Sequence, residues 1–155
     1  MPNVVFVAPF LLETTLRFVE ATCSLPDTRV CLISQDPLDR VPEAVRKKLT
    51  AHEQIADALD PAHIAAGVRQ ASGYMGKIDR LLGALEELQV PLGKVREELG
   101  ITGMSGATAH NFRDKATMKE VLRAFLDFRR EVLIRRSRHR AAVFSRICLT
   151  IRLRS

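Results

Sequence analysis

The 155-residue chain is 46% hydrophobic and 27% charged with a formal net charge of +6, a balance that suits one folded domain with a real core and excludes a disordered chain. Its three cysteines, Cys23, Cys31 and Cys148, are odd in number and lack CxxC spacing, which argues against a disulfide framework or a thiolate zinc site and for a reducing cytoplasm. The apolar run from Val4 to Leu12 has no basic leader or cleavage site and is far shorter than a bilayer span, so neither export nor a membrane partner is expected.

The charge is unevenly spread. Residues 1–122 hold 14 basic and 16 acidic side chains, whereas residues 123–155 hold ten arginines, no lysine, and only Asp127 and Glu131. The basicity therefore belongs to the tail, and the front of the chain is no polyanion-binding domain by composition.

In chain order, Asn3-Val4-Val5-Phe6-Val7-Ala8 is a continuous apolar run with β-branched and aromatic residues, as in a strand buried on both faces. Leu12, Leu16, Val19 and Cys23 recur at helical spacing until Pro26-Asp27, and Arg29 to Ser34 forms the second strand of a βαβ unit. Leu38, Val41, Val45 and Leu49 predict a short amphipathic helix, and Glu53 to Ala58 a weak third strand. Asp60-Pro61 is a cap followed by proline at the first helical position. Ile64, Val68 and Ala71 line the helix it starts, and Gly73 and Gly76 close it. Ile78 to Leu82 predicts a fourth strand, and Leu92, Val95 and Leu99 a helix ending at Gly100. The alternation predicts an α/β fold with a parallel sheet of about four strands between two helical layers, its ligands at the carboxyl ends of the strands.

Familiar catalytic patterns are missing. The first turn, Ala8-Pro9-Phe10-Leu11-Leu12, has no glycine, so it lacks the close backbone approach that a dinucleotide pyrophosphate needs, and no GxxxxGK[ST] loop is present. His52, His63, His110 and His139 form no HxxH or HExxH pair and read as surface or capping residues. Ser105 lies in Gly103-Met104-Ser105-Gly106, without the GxSxG spacing of a nucleophile elbow. Glu86 and Glu87 follow the fourth strand, at a helix start that favours acidic side chains. In Asn111-Phe112-Arg113-Asp114-Lys115-Ala116-Thr117-Met118 a lysine follows an aspartate cap, placing an ammonium beside N–H groups that favour anions.

The order of these pieces resembles the N-terminal part of ATP-grasp proteins, a family of carboxylate-amine and carboxylate-thiol ligases. The pieces are Ile78 to Leu82 with Gly83-Ala84-Leu85-Glu86, then Glu98-Leu99-Gly100-Ile101-Thr102-Gly103, then Asn111 to Lys115 with Met118. The resemblance covers residues 3 to 122. It implies a Rossmann-like three-layer domain over residues 1–104 and linking helices over 105–126, and the composition leaves an Arg-rich tail over 127–155. It also implies that Lys115 contacts ATP phosphate and that Glu86, placed where members often have a glutamate after the last strand of the first domain, is a second, weaker cofactor-binding candidate. ATP and Mg²⁺ are the family's cofactors and a small carboxylate its substrate. The second lysine, the glycine-rich loop and the Mg²⁺-binding acids of the family are absent from this sequence, so a chain truncated before the nucleotide-binding domains, inactive alone and binding neither cofactor tightly, is expected.

The tail has three readings. Met118, Val121, Leu122, Phe125 and Leu126 continue a helical stripe before Arg129-Arg130, Arg135-Arg136, Arg138 and Arg140. A change of reading frame in a G/C-rich gene after about Arg123, a plain helical extension, and an anion-binding arm with Phe128 and Phe144 as stacking faces all account for that composition. Two functions therefore stand beside each other: the first domain of an ATP-grasp ligase, or a small α/β binding module whose tail holds nucleic acid or an acidic partner.

Overall fold

A computed structural model describes residues 1–127. The described chain divides after Arg113 into a unit of residues Met1–Arg113 and a second unit beginning at Asp114. The Arg-rich tail, with its three readings, lies outside the described residues.

The first unit is an α/β domain. Four parallel strands, β1 (Asn3–Ala8), β2 (Arg29–Ser34), β3 (Ala51–Gln54) and β4 (Arg80–Leu82), form one sheet in the order β3-β2-β1-β4. β1 and β2 pair in register from Asn3↔Arg29 to Ala8↔Ser34, and residues 4–8 and 30–34 are buried. Their apolar runs are continuous because both faces are covered. Val5, Val7, Cys31 and Ile33 pack beneath α3 (Pro61–Met75) and α4 (Gln89–Leu99). Phe6, Ala8, Val30 and Leu32 pack beneath α1 (Glu13–Cys23) and the short α2 (Glu43–Arg46). The expected three-layer parallel fold is present.

Three elements differ in detail from the sequence expectation, each for a local reason. The helix expected over Leu38 to Leu49 is split into a 3₁₀ turn, Leu38–Arg40, and α2. Val41 is extended, φ −74° and ψ 127°, because a residue before proline is pushed out of the helical region. The third strand is Ala51–Gln54 and not Glu53 to Ala58, with Cys31↔Ala51 opening its ladder on β2. Ile55 donates its N–H to the Ser34 carbonyl at 2.9 Å as the last bond to β2, and it and Ala58 cover the core from the loop beyond the strand. The fourth strand starts at Arg80, since Asn3 N–H donates to the Asp79 carboxylate at 2.8 Å and Asp79 N–H returns to the Asn3 carbonyl at 2.9 Å.

Helix ends follow their caps. Asp60 accepts from the N–H groups of Ala62 and His63 at 2.6 and 3.2 Å, opening α3. Gly73 lies inside that helix, and Gly76, at φ +84°, ends it. Gly100 ends α4 in the left-handed region at φ +65°, with Ile101 N–H bonded to the Arg96 carbonyl at 2.9 Å. α5 (Gly106–Arg113) follows, capped by the Ser105 hydroxyl, which accepts from Thr108 N–H at 3.0 Å. In the second unit residues 115–127 are helical, and we name this stretch α6. Among the described residues no helix is long and apolar enough to cross a membrane.

Candidate functional site

The chain runs β1, β2, β3 in one direction and then crosses back to place β4 on the other side of β1. In open parallel sheets such a reversal marks where ligands bind, here the crevice position outside the carboxyl ends of β1 and β4. Two loops bound it: residues 9–12, which lead into α1, and residues 83–85, which lead into a 3₁₀ turn at Glu86–Leu88. Phe10 and Leu12 are each 49% exposed there. Gly83 explains how the second loop hugs the sheet. A Cβ at that position would lie 2.7 Å from Leu88 Cδ1, 2.8 Å from Leu92 Cδ1 and 3.3 Å from the Val7 carbonyl oxygen, so a side chain would push the loop off the end of β1.

Glu86 opens the 3₁₀ turn with its carboxylate largely in solvent, 4.0 Å from the Arg113 Nε at the end of α5. An exposed pair at that distance contributes little to stability, so both groups are available to a ligand. Arg96, near the end of α4, carries no motif in the sequence analysis. Its Nε and Nη2 donate to the Leu81 carbonyl at 3.1 and 2.6 Å, and its Nη1 to the Met104 carbonyl at 3.3 Å. The half-buried guanidinium thereby fastens β4 to the segment that leads into α5. Desolvation lowers its pKa from the usual arginine value. Gly103 makes room for it, since a Cβ there would lie 2.7 Å from Arg96 Cδ. The two glycines of Leu99-Gly100-Ile101-Thr102-Gly103 thus have separate tasks, a left-handed helix end and a slot for an arginine. A long-range clamp on carbonyls leaves no local sequence pattern, and only the Gly103 spacing hints at it.

Lys115 is the first residue of α6. Asp114 caps this helix, its carboxylate accepting from Ala116 N–H at 2.9 Å and the Thr117 hydroxyl at 2.7 Å. Lys115 is exposed, and Lys119 follows one turn later on the same side. Glu86 belongs to the first unit and Lys115 to the second. The structure brings Glu86 together with Arg113.

Other reactive groups have structural roles. Ser34 and His52 approach to 2.8 Å, but Ser34 is fully buried and its hydroxyl proton goes to the Asp36 carbonyl at 2.6 Å. His52 Nε2–H must then donate to Ser34 Oγ, the reverse of what a general base for that hydroxyl requires. The expectation that His52 is a surface or capping residue is thereby corrected: it is partly buried and fixes the β2–β3 edge. Burial pushes the Cys31 thiol up to about 11, so it stays protonated at neutral pH. Among the described residues no group of three or more His, Cys, Asp or Glu side chains could hold a metal ion.

No family model and no curated protein matches the chain. Solved structures share its fold. An L-amino acid ligase from Bacillus licheniformis superposes with a TM-score of 0.61 at 16% identity, covering 80% of this chain and 30% of its own. A phosphoribosylglycinamide synthetase from Anaerococcus prevotii does so with a TM-score of 0.54 at 12% identity, covering 80% of this chain and 29% of its own. At such identities the likeness is one of fold, and this chain spans less than a third of either protein.

Proposed function

We propose that this chain carries the first domain of an ATP-dependent ligase of the ATP-grasp type, joining a small carboxylate to an amine or thiol. Carrying the reading is the coincidence of two independent features. The fold is shared with two ligase-type enzymes over 80% of the chain, and the sheet domain leads through a glycine-slotted segment into a helix that opens Asp114-Lys115. In this reading the sheet domain holds the acceptor substrate in the crevice between β1 and β4, with Glu86 facing its amine. Lys115 gives the nucleotide a phosphate contact through its ammonium, since the Asp114 carboxylate already occupies part of the helix end. The family's Mg²⁺ would neutralise charge on the transferring phosphoryl group, and no residue of this chain is assigned to it.

The test is nucleotide binding in two forms of the protein. The 155-residue chain should bind MgATP weakly and hydrolyse none, because one lysine is a single contact without an adenine pocket. In a protein extended with ATP-grasp domains, Lys115→Ala should weaken ATP binding by the worth of a charge-assisted hydrogen bond, about 1.5 to 3 kcal/mol. Lys119→Ala should change it little. Tight MgATP binding by the chain itself, or equal effects of the two substitutions, would refute the assignment of Lys115. Tight, salt-dependent nucleic-acid binding that disappears when residues 128–155 are removed would favour the binding-module reading instead.

A further inference from the structure

α3 and α4 both finish at the amino end of the sheet, at Gly76 and Gly100, and the chain passes through Lys77 and Ile78 on its way to β4. Between the two helices lies a cavity of about 390 Å³. Native interiors leave few voids larger than a water molecule, so a gap of this size beside two packed helices is room for a small ligand. It lies at the opposite end of the sheet from the crevice and wholly within residues 1–113.

The wall of this cavity is divided in its chemistry. Val68, Ile78 and Ile101 are buried and give it an apolar floor. Both of its charged side chains, Arg69 and Lys77, are cationic and exposed, so they stand at its mouth. Glu98, which is no part of the wall, pairs with Arg69. Lys77 has no ion pair among the described residues, and the Ser72 hydroxyl, the other polar group of the wall, makes no hydrogen bond there. Two helix C-termini would ordinarily repel an anion, but three of their carbonyls are already occupied. That of Arg96 accepts from Ile101 N–H at 2.9 Å and that of Ser72 from Gly76 N–H at 3.0 Å. That of Met75 accepts from Asn3 Nδ2 at 2.7 Å and Arg29 Nη1 at 3.2 Å. The Asp79 carboxylate, next in sequence to Ile78, is held by Asn3 N–H.

We propose that the cavity between the ends of α3 and α4 binds a small monocarboxylic acid with an apolar body, whose tail lies on Val68, Ile78 and Ile101 and whose carboxylate is held by the Lys77 ammonium and the Ser72 hydroxyl. Burial of the tail supplies the affinity, and the unpaired ammonium selects the sign of the head group. An amine of the same length would set its charge against Lys77 and Arg69. The site needs neither Lys115 nor a nucleotide, so it stands apart from the ligase reading. Its ligand bridges α3 to the Gly100 turn, from which the chain continues to α5.

The experiment uses the isotope-labelled 155-residue chain, titrated at constant ionic strength with octanoate below its micelle-forming concentration and followed by backbone amide NMR. Saturable shifts at residues 68–72, 77–78 and 99–101 are expected. Acetate, which lacks the tail, and octylamine, which reverses the charge, should leave those amides unshifted at the same concentrations. Lys77→Glu should bind octanoate about tenfold or more weakly. Lys77 is exposed and unpaired, so this variant folds as the parent does and keeps the test decisive. Ser72→Phe should abolish binding by filling the cavity, and Lys47→Ala, beside α2 on the other face of the sheet, should bind as the parent does. Shifts that never saturate, shifts confined to the arginine-rich tail, binding of acetate or octylamine as tight as that of octanoate, or unaltered binding by Lys77→Glu would overturn the proposal.

Discussion

A methyl group on Gly93 would lie 2.5 Å from the nitrogen and 2.6 Å from the Cα of Gly106, so α4 and α5 cross backbone against backbone. Glu97 reinforces the crossing by accepting from Gly106 N–H at 3.2 Å. The consequence is that the position of α5, and with it the Arg113 that faces Glu86, depends on two glycines that let the helix backbones touch.

Gly93→Ala should therefore destabilise the domain by about 1 to 3 kcal/mol, since the helices must part to admit the methyl group. Gly73→Ala is the counterpart. That glycine lies inside α3 with nothing within 4 Å of an added Cβ, so the substitution should stabilise by about 0.5 to 1 kcal/mol. Urea unfolding of the two variants measures both, and a Gly93→Ala variant as stable as the parent would show that the α4–α5 crossing is looser than described.

His52 should make stability fall in mild acid. Desolvation lowers its pKa below the usual histidine value, opposed by the charge of Glu53 and the Asp36 carbonyl. A folded-state pKa below the unfolded one means that the unfolded chain takes up the proton first. Above about pH 6.5 the ring is neutral in both states and contributes no slope. As pH falls from there towards the folded pKa, stability is lost, and below it the loss is complete. His52→Gln, which retains an N–H for Ser34, should flatten that part of the stability–pH curve. Identical curves for variant and parent below about pH 6.5 would place the ring in solvent.

The Asp114 cap predicts a local effect. Asp114→Ala removes the acceptor used by Ala116 and Thr117 and should cost α6 about 1 kcal/mol. Amide exchange over residues 115–120 should quicken, while β1 and β2, in the other unit, should be unaffected. Asp114→Asn, a cap of similar strength, should restore protection.

The parts of this fold that were legible in the sequence are those fixed by short-range chemistry. β1 and β2 announce themselves because strands covered on both faces must be apolar throughout. Asp60-Pro61, Gly100 and Asp114 mark helix ends because only a few residue types do that work. β3 was misplaced by two residues at its start because Ala51-His52-Glu53-Gln54 is a short, half-covered strand whose pairing is decided by β2, while the neighbouring Ile55 and Ala58 draw attention as apolar residues that pack from a loop. Gly73 looked like a helix end and is not one, since the positive φ that stops α3 falls at Gly76. The crevice could be anticipated from the βα order. Its contents could not, because the Arg113–Glu86 approach and the Arg96 clamp each depend on residues distant in sequence.

Arg96 offers the sharpest test of how the crevice is held. Its guanidinium bonds two carbonyls from different segments, those of Leu81 and Met104, and Gly103 leaves the space it fills. Arg96→Lys keeps the charge and loses the planar fork, so one ammonium cannot serve both carbonyls in the same geometry. Arg96→Leu keeps much of the packing and leaves both carbonyls without this donor, at a cost of about 2 kcal/mol or more. The lysine variant should fall between parent and leucine variant in urea unfolding. Both should also increase amide exchange in residues 101–106 more than in β1, because the clamp holds that segment and not the centre of the sheet. Parent-like stability in Arg96→Leu would mean that the Gly93–Gly106 crossing alone positions α5.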